Sequence, residues 1–280
     1  MRLMQKGRQT PTPRRLAPAR SSVGPQSPVD GARVDVPLQL EGKVAVVTGG
    51  TKGLGAALCE YFLAAGASVV AASRSAEKDE AWSAERSVVL PVDVTEPASV
   101  ARLLDETTER FGGIDILVAN AGVSWNGRLK QLELARWKNM VDINLNGLFI
   151  CTQTVVPHLE RRGGGSILTV SSCMASRPAV GVSGYVASKA GVEAFTRAAA
   201  LELAGMGIRV NCLAPGFLEI GMGEKLRRNE RAWAAYEPSL LAGRMGSGTD
   251  AAAAAAFLCS DAAAYVNGHV LEVNGGLRWY

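Results

Sequence analysis

From Lys43 onward, short apolar runs rich in β-branched residues alternate with longer stretches of helical spacing. The runs Lys43–Thr48, Ser68–Ala72, Ser87–Val92, Ile114–Ala119, Ser166–Val170, Ile208–Leu213 and Val270–Val273 are almost continuously apolar. Such runs, bounded by turn residues, read as strands covered on both faces. Between them, Gly53–Gly66, Pro97–Phe111, a long stretch over about 134–159, Tyr185–Met206 and Asp250–Cys259 read as helices. Strand–helix alternation requires long, right-handed crossovers and therefore a parallel sheet. The pattern predicts a doubly wound α/β fold: one parallel seven-stranded sheet between two helical layers, in a single domain.

Residues 1–40 do not fit this pattern. Six prolines (Pro11, Pro13, Pro18, Pro25, Pro28, Pro37) interrupt any helix, and seven basic side chains stand against two acids. This predicts a disordered basic tail over 1–40 and a folded domain over 41–280. The composition of the tail admits organelle targeting or an idle extension, and it lacks the apolar stretch of a secretory signal. The other 240 residues carry 23 basic and 24 acidic side chains, so the body has no nucleic-acid footprint. No apolar run reaches the ~18 residues of a membrane span. Five scattered cysteines and two histidines, His158 and His269, form no metal-ligand pattern; they suggest a reducing, cytoplasmic compartment.

The candidate chemistry lies at the ends of the strands. The first strand runs into Gly49-Gly50-Thr51-Lys52-Gly53-Leu54-Gly55, a glycine turn opening the first helix. There, bare backbone N–H groups and the helix N-terminus suit a pyrophosphate. The second strand ends in Ser73-Arg74, with no acid to accept from ribose hydroxyls. Arg74, with Lys52, suits a 2′-phosphate instead, which favours NADP(H). Tyr185 and Lys189 stand at i and i+4 on one helix face. An ammonium near the phenol is expected to lower its pKa from ~10. The fifth strand ends in Ser171-Ser172, either of which places a hydroxyl in the crevice. Asn144 falls inside the long fourth helix, where its propensity is poor.

These motifs, with Asn120-Ala121-Gly122 and Pro215-Gly216, resemble in order and spacing the short-chain dehydrogenase/reductase family over about residues 41–277. The resemblance implies a Rossmann-like domain and an NADP-dependent oxidoreductase acting on a ketone or secondary alcohol. In it Tyr185 transfers the proton, Ser172 holds the substrate oxygen, Lys189 binds the nicotinamide ribose and Asn144 holds a relay water. The cofactor set becomes Gly49, Thr51, Lys52, Gly53, Leu54, Gly55, Ser73, Arg74, Asp93, Val94, Asn120, Ala121, Gly122, Tyr185, Lys189, Pro215, Gly216 and Leu218, with no metal. A homotetramer is implied as well. Three positions depart from the family: Ala119 for Asn, Ile220 for a Thr that contacts the nicotinamide amide, and Asn274 for Asp.

The segment from about 217 to 246 is expected to form a substrate lid, with Trp125 and Met174 lining the cleft. Its apolar residues favour a 3-oxoacyl or similar carbonyl. Arg161 and Arg162 are candidates for a carrier-protein docking patch. A sugar-acid or polyol dehydrogenase, and a non-catalytic NADP-binding regulator, are the alternatives.

Overall fold

The structure is a computed structural model that describes residues 39–75 and 85–278. Of the tail expected over 1–40, residues 1–38 lie outside the described residues. Leu40 does not belong to that tail: it is fully buried, and its N–H donates to the Ala65 carbonyl.

Seven strands form one parallel sheet in the order β3-β2-β1-β4-β5-β6-β7. They are β1 Val44–Thr48, β2 Ser68–Ser73, β3 Ser87–Pro91, β4 Ile116–Ala119, β5 Gly165–Val170, β6 Ile208–Pro215 and β7 Val270–Val273. The order reverses between β1 and β4, so their carboxyl ends open the crevice where ligands of such sheets bind. The apolar runs became strands because helices cover both of their faces. One layer packs Leu58 and Phe62 of α1 (Gly53–Ala64) with Ala251 and Ala255 of α8 (Gly248–Cys259). The other packs Val100 and Leu104 of α2 (Pro97–Phe111) with Val155 and Leu159 of α4 (Gly147–Arg161).

The long fourth helix is corrected to three pieces. It comprises α3 (Leu134–Val141), a π-turn over Asp142–Asn146, and α4. The cause is Asn144, whose side chain leaves the helix to bond the backbone at Val123. π-Turns within α-helices often mark functional sites. Helix α5 runs Ser183–Leu203. Between β6 and α8, the segment expected to be a lid carries α6 (Met222–Arg227) and α7 (Glu230–Tyr236). Phe217 and Tyr236 face each other there, with ring centroids 4.9 Å apart. Among the described residues, no helix is long and apolar enough to cross a membrane.

Candidate active site

The glycine turn is built by close approach. Gly49 has φ +66° and Gly53 φ +55°, both in the region that favours glycine. A Cβ on Gly55 would stand 2.0 Å from the Gly49 carbonyl oxygen and 2.7 Å from Asn120 Nδ2. No side chain of Lys52 caps α1, and its first turn holds no acid. Its N-terminal N–H groups and positive dipole end are thus left for an anion. Asn120 braces the turn, donating from Nδ2 to the carbonyls of Thr48 at 2.9 Å and Gly49 at 3.3 Å. Thr48 Oγ1 in turn accepts from the N–H groups of Asn120 and Ala121, both at 3.1 Å. A Gly55→Ala substitution is expected to displace the turn and weaken dinucleotide binding about 100-fold, or ~2.7 kcal/mol, by fluorescence titration.

Thr51 Oγ1 donates to Ser73 Oγ at 3.1 Å, joining the turn to the end of β2. Arg74 and Lys52 are exposed beside them. Arg74 lines a cleft of about 430 Å³ with Asp93, Thr95 and Ile143. Asp93 accepts from the Thr95 hydroxyl at 2.7 Å, and this bond, aided by Arg74, holds its carboxyl below the usual range. Val94 is buried against Gly147, where a Cβ would meet Val94 Cγ2 at 2.7 Å.

Asn144, Ser172, Tyr185 and Lys189 are all buried and stand at the carboxyl ends of β4 and β5. Lys189 Nζ donates to the Val170 carbonyl at 2.7 Å and lies 5.8 Å from the Tyr185 ring centroid. Burial brings its pKa down to about 8. Tyr185 is pushed up to about 12 by burial, with the Ser172 hydroxyl beside it acting in the opposite direction. The expected lowering by Lys189 is therefore corrected. Desolvation by burial dominates the phenol.

The two serines separate by partner. Ser171 Oγ donates to Glu193 Oε1 at 2.9 Å and lies 3.2 Å from the Lys189 carbonyl oxygen. Ser172 Oγ accepts from Met174 N at 3.2 Å and stands beside Tyr185. Asn144 commits both amide hydrogens, to the Val123 carbonyl and to Ser188 Oγ, each at 2.9 Å. Its Oδ1 accepts from Val123 N at 2.8 Å. Gly122 lies over both groups: a Cβ there would be 3.3 Å from Asn144 Oδ1 and 3.5 Å from Lys189 Nζ.

Pro215-Gly216 follows β6, and Gly216 N donates to the Val273 carbonyl at 2.9 Å. Leu218 is buried and bridges to Gly246. Ile220 is not simply a missing hydroxyl: it packs into the α1–α8 core, and its Cδ1 would meet a Cβ on Gly248 at 3.1 Å. Of the suggested docking arginines, Arg162 is bound to Asp115 through two hydrogen bonds, at 3.0 and 3.3 Å. Trp125 lies against α3, donating to Asn139 Oδ1 at 3.2 Å under the Arg136 guanidinium. Sequence reasoning missed Glu193, Ser188, Arg177 and Glu272. Each meets its partner only through the fold, although Ser188 and Glu193 flank Lys189 on α5.

A family model described as Enoyl-(Acyl carrier protein) reductase matches residues 49–278. The chain belongs to the short-chain dehydrogenase/reductase family. Members of this family are oxidoreductases of ketones and alcohols, and this chain is one of them. It is 37% identical over 243 residues to the 3-oxoacyl-acyl-carrier-protein reductase FabG of Vibrio cholerae, covering 86% of this chain and 99% of that protein. It is 38% identical over 240 residues to the cis-4-hydroxycyclohexanecarboxylate dehydrogenase of Sinomonas cyclohexanicum, covering 84% and 96%. The crystal structure of gox2181 superposes with a TM-score of 0.79 at 32% identity, covering 85% and 96%. The family accounts for the nicotinamide dinucleotide that the glycine turn fits.

Proposed function

We propose that this chain is an NADP(H)-dependent reductase of a 3-oxoacyl or similarly apolar carbonyl, with Tyr185 as its proton-transfer residue. The observation that carries this reading is the burial of Tyr185 beside Ser172, with Lys189 on its ring face, at the crevice opened by the glycine turn. Gly49, Thr51, Lys52, Gly53, Leu54 and Gly55 would hold the pyrophosphate end of the dinucleotide. Asp93 and Val94 would flank the adenine. Asn120, Ala121, Gly122, Tyr185, Lys189, Pro215, Gly216 and Leu218 would hold the nicotinamide half. When bound, that cofactor supplies or accepts a hydride at its nicotinamide C4.

The protein's own work is then to hold the substrate oxygen and move one proton. Ser172 Oγ donates to the carbonyl oxygen and polarises it. Tyr185 Oη gives that oxygen a proton in reduction and takes it back in oxidation. Lys189, at about 8, carries its proton through most of the neutral range. It draws the phenolate toward stability as charge develops. Asn144 has no free amide hydrogen, so a relay water would bond its Oδ1 or its main-chain carbonyl.

The missing acid after β2 and the exposed Arg74 beside Ser73 support NADP(H) over NAD(H). Arg74→Asp should weaken NADPH about 30-fold or more and NADH less than about 3-fold. Equal losses for both cofactors would remove the assignment of Arg74. The apolar Phe217–Tyr236 pair supports a lid over an apolar substrate. Exposed Leu134, Trp137, Phe149 and Leu201 on α3, α4 and α5 support a homotetramer. Five buried thiols support a reducing, cytoplasmic setting. Substrate choice is tested by following NADPH consumption with acetoacetyl-CoA and with 4-oxocyclohexanecarboxylate. Faster turnover of the thioester is expected, and a preference for the cyclic acid would move the substrate class toward hydroxy acids.

A further inference from the structure

Ser172 heads a single 3-10 turn, Cys173–Ala175, which has few bonds of its own. Arg177 N donates to the Cys173 carbonyl at 2.9 Å, and Ser176 Oγ approaches the same oxygen at 3.2 Å. The anchor for this turn comes from β7, some 95 residues away. Glu272 accepts from Ser176 Oγ at 3.0 Å through Oε1 and from the Arg177 guanidinium through Oε2. Asn274 Nδ2 donates to the same Oε2 at 2.7 Å. Asn274 is itself pressed on Gly216, where a Cβ would stand 2.7 Å from its Cα.

A continuous path thus runs from Ser172 through Arg177, Glu272 and Asn274 to Pro215-Gly216. The pair at its centre is sheltered, with side chains 15% and 32% exposed. A charge-assisted contact in that setting fixes geometry better than an open surface pair does.

We propose that Arg177 and Glu272 are positioning residues, which hold the Ser172 hydroxyl in register with the Pro215-Gly216 segment. Neither touches the reacting atoms. The pair sets where the substrate oxygen sits relative to the nicotinamide half of the cofactor. A displacement of about 1 Å at such a site lowers turnover by up to ~10²-fold without a new contact to substrate. The inference rests on the reading of Ser172 and Tyr185 given above.

The test uses full-length enzyme with NADPH and acetoacetyl-CoA, or 4-oxocyclohexanecarboxylate where that is turned over faster. Glu272→Gln and Arg177→Met are each expected to lower kcat about 10-fold, while KM for NADPH stays within about 2-fold. The double variant should lose no more than about 2-fold beyond either single one. The deciding readout is the Ser172→Ala background: there Glu272→Gln should change the residual kcat by less than about 2-fold, because the group it positions is gone. Unchanged kcat in the single variants, or an undiminished 10-fold loss in the Ser172→Ala background, overturns the proposal. Thermal melting accompanies each variant. Should Glu272→Gln or Arg177→Met fail to fold, Glu272→Asp and Arg177→Lys are read by the same criteria. If Tyr185→Phe and Ser172→Ala keep full turnover, the catalytic reading itself falls. If they lose turnover while the Arg177 and Glu272 variants do not, only the positioning role falls.

Discussion

Tyr185→Phe is expected to lower kcat by about 10³-fold while leaving NADPH affinity within about 3-fold. The substitution removes one oxygen and keeps the ring. The ring is what packs: Tyr185 is 8% exposed, and Lys189 Nζ stands 5.8 Å from its centroid. Phe preserves that packing and the cation–ring contact. What is lost is the group that exchanges a proton with the substrate oxygen. With that hydroxyl held at about 12 by burial, Tyr185 keeps its proton across the neutral range and acts as an acid. Steady-state kinetics with a fluorescence titration of NADPH separates the loss of chemistry from a loss of binding.

Lys189→Met is expected to lower kcat by about 10²-fold and to change how stability responds to pH. Methionine fills the space of the lysine stem, but it cannot donate to the Val170 carbonyl, a bond of 2.7 Å in the structure. Burial brings Lys189 from its ordinary 10.5 down to about 8. Below pH 8 both folded and unfolded chains hold this proton, and the folded protein bears the full cost of a buried ammonium. Between about 8 and 10.5 the unfolded chain holds a proton that the folded one has released. Stability attributable to Lys189 therefore rises with pH across that window. Wild-type Tm should gain on the Lys189→Met variant by roughly 5 °C between pH 7 and pH 10. A difference that is flat with pH would show that Lys189 titrates as an ordinary lysine.

Most of the fold was legible because the sheet is buried on both faces. Continuous apolar runs such as Lys43–Thr48 and Ser166–Val170 carry that fact in one dimension. The observed strands differ from the runs only at their ends, as with β4, which begins at Ile116 rather than Ile114. The π-turn was not legible. It exists because Asn144 bonds Val123 across 21 residues, and no local pattern announces that. The choice between Ser171 and Ser172 was open for the same reason, since it turns on Glu193, 22 residues from Ser171. The upward shift of Tyr185 was not legible because spacing on a helix reports the proximity of Lys189, not the burial of the phenol. The Arg177–Glu272 contact was out of reach altogether, since it joins a loop to the last strand.

One measurement tests the central claim most directly. NADPH carrying deuterium at nicotinamide C4 is incubated with acetoacetyl-CoA and wild-type enzyme, and the product is read by mass spectrometry and NMR. The account predicts deuterium on the carbinol carbon of the 3-hydroxy product, at a rate that falls about 10³-fold in Tyr185→Phe. Deuterium transfer that proceeds equally fast in Tyr185→Phe would contradict it.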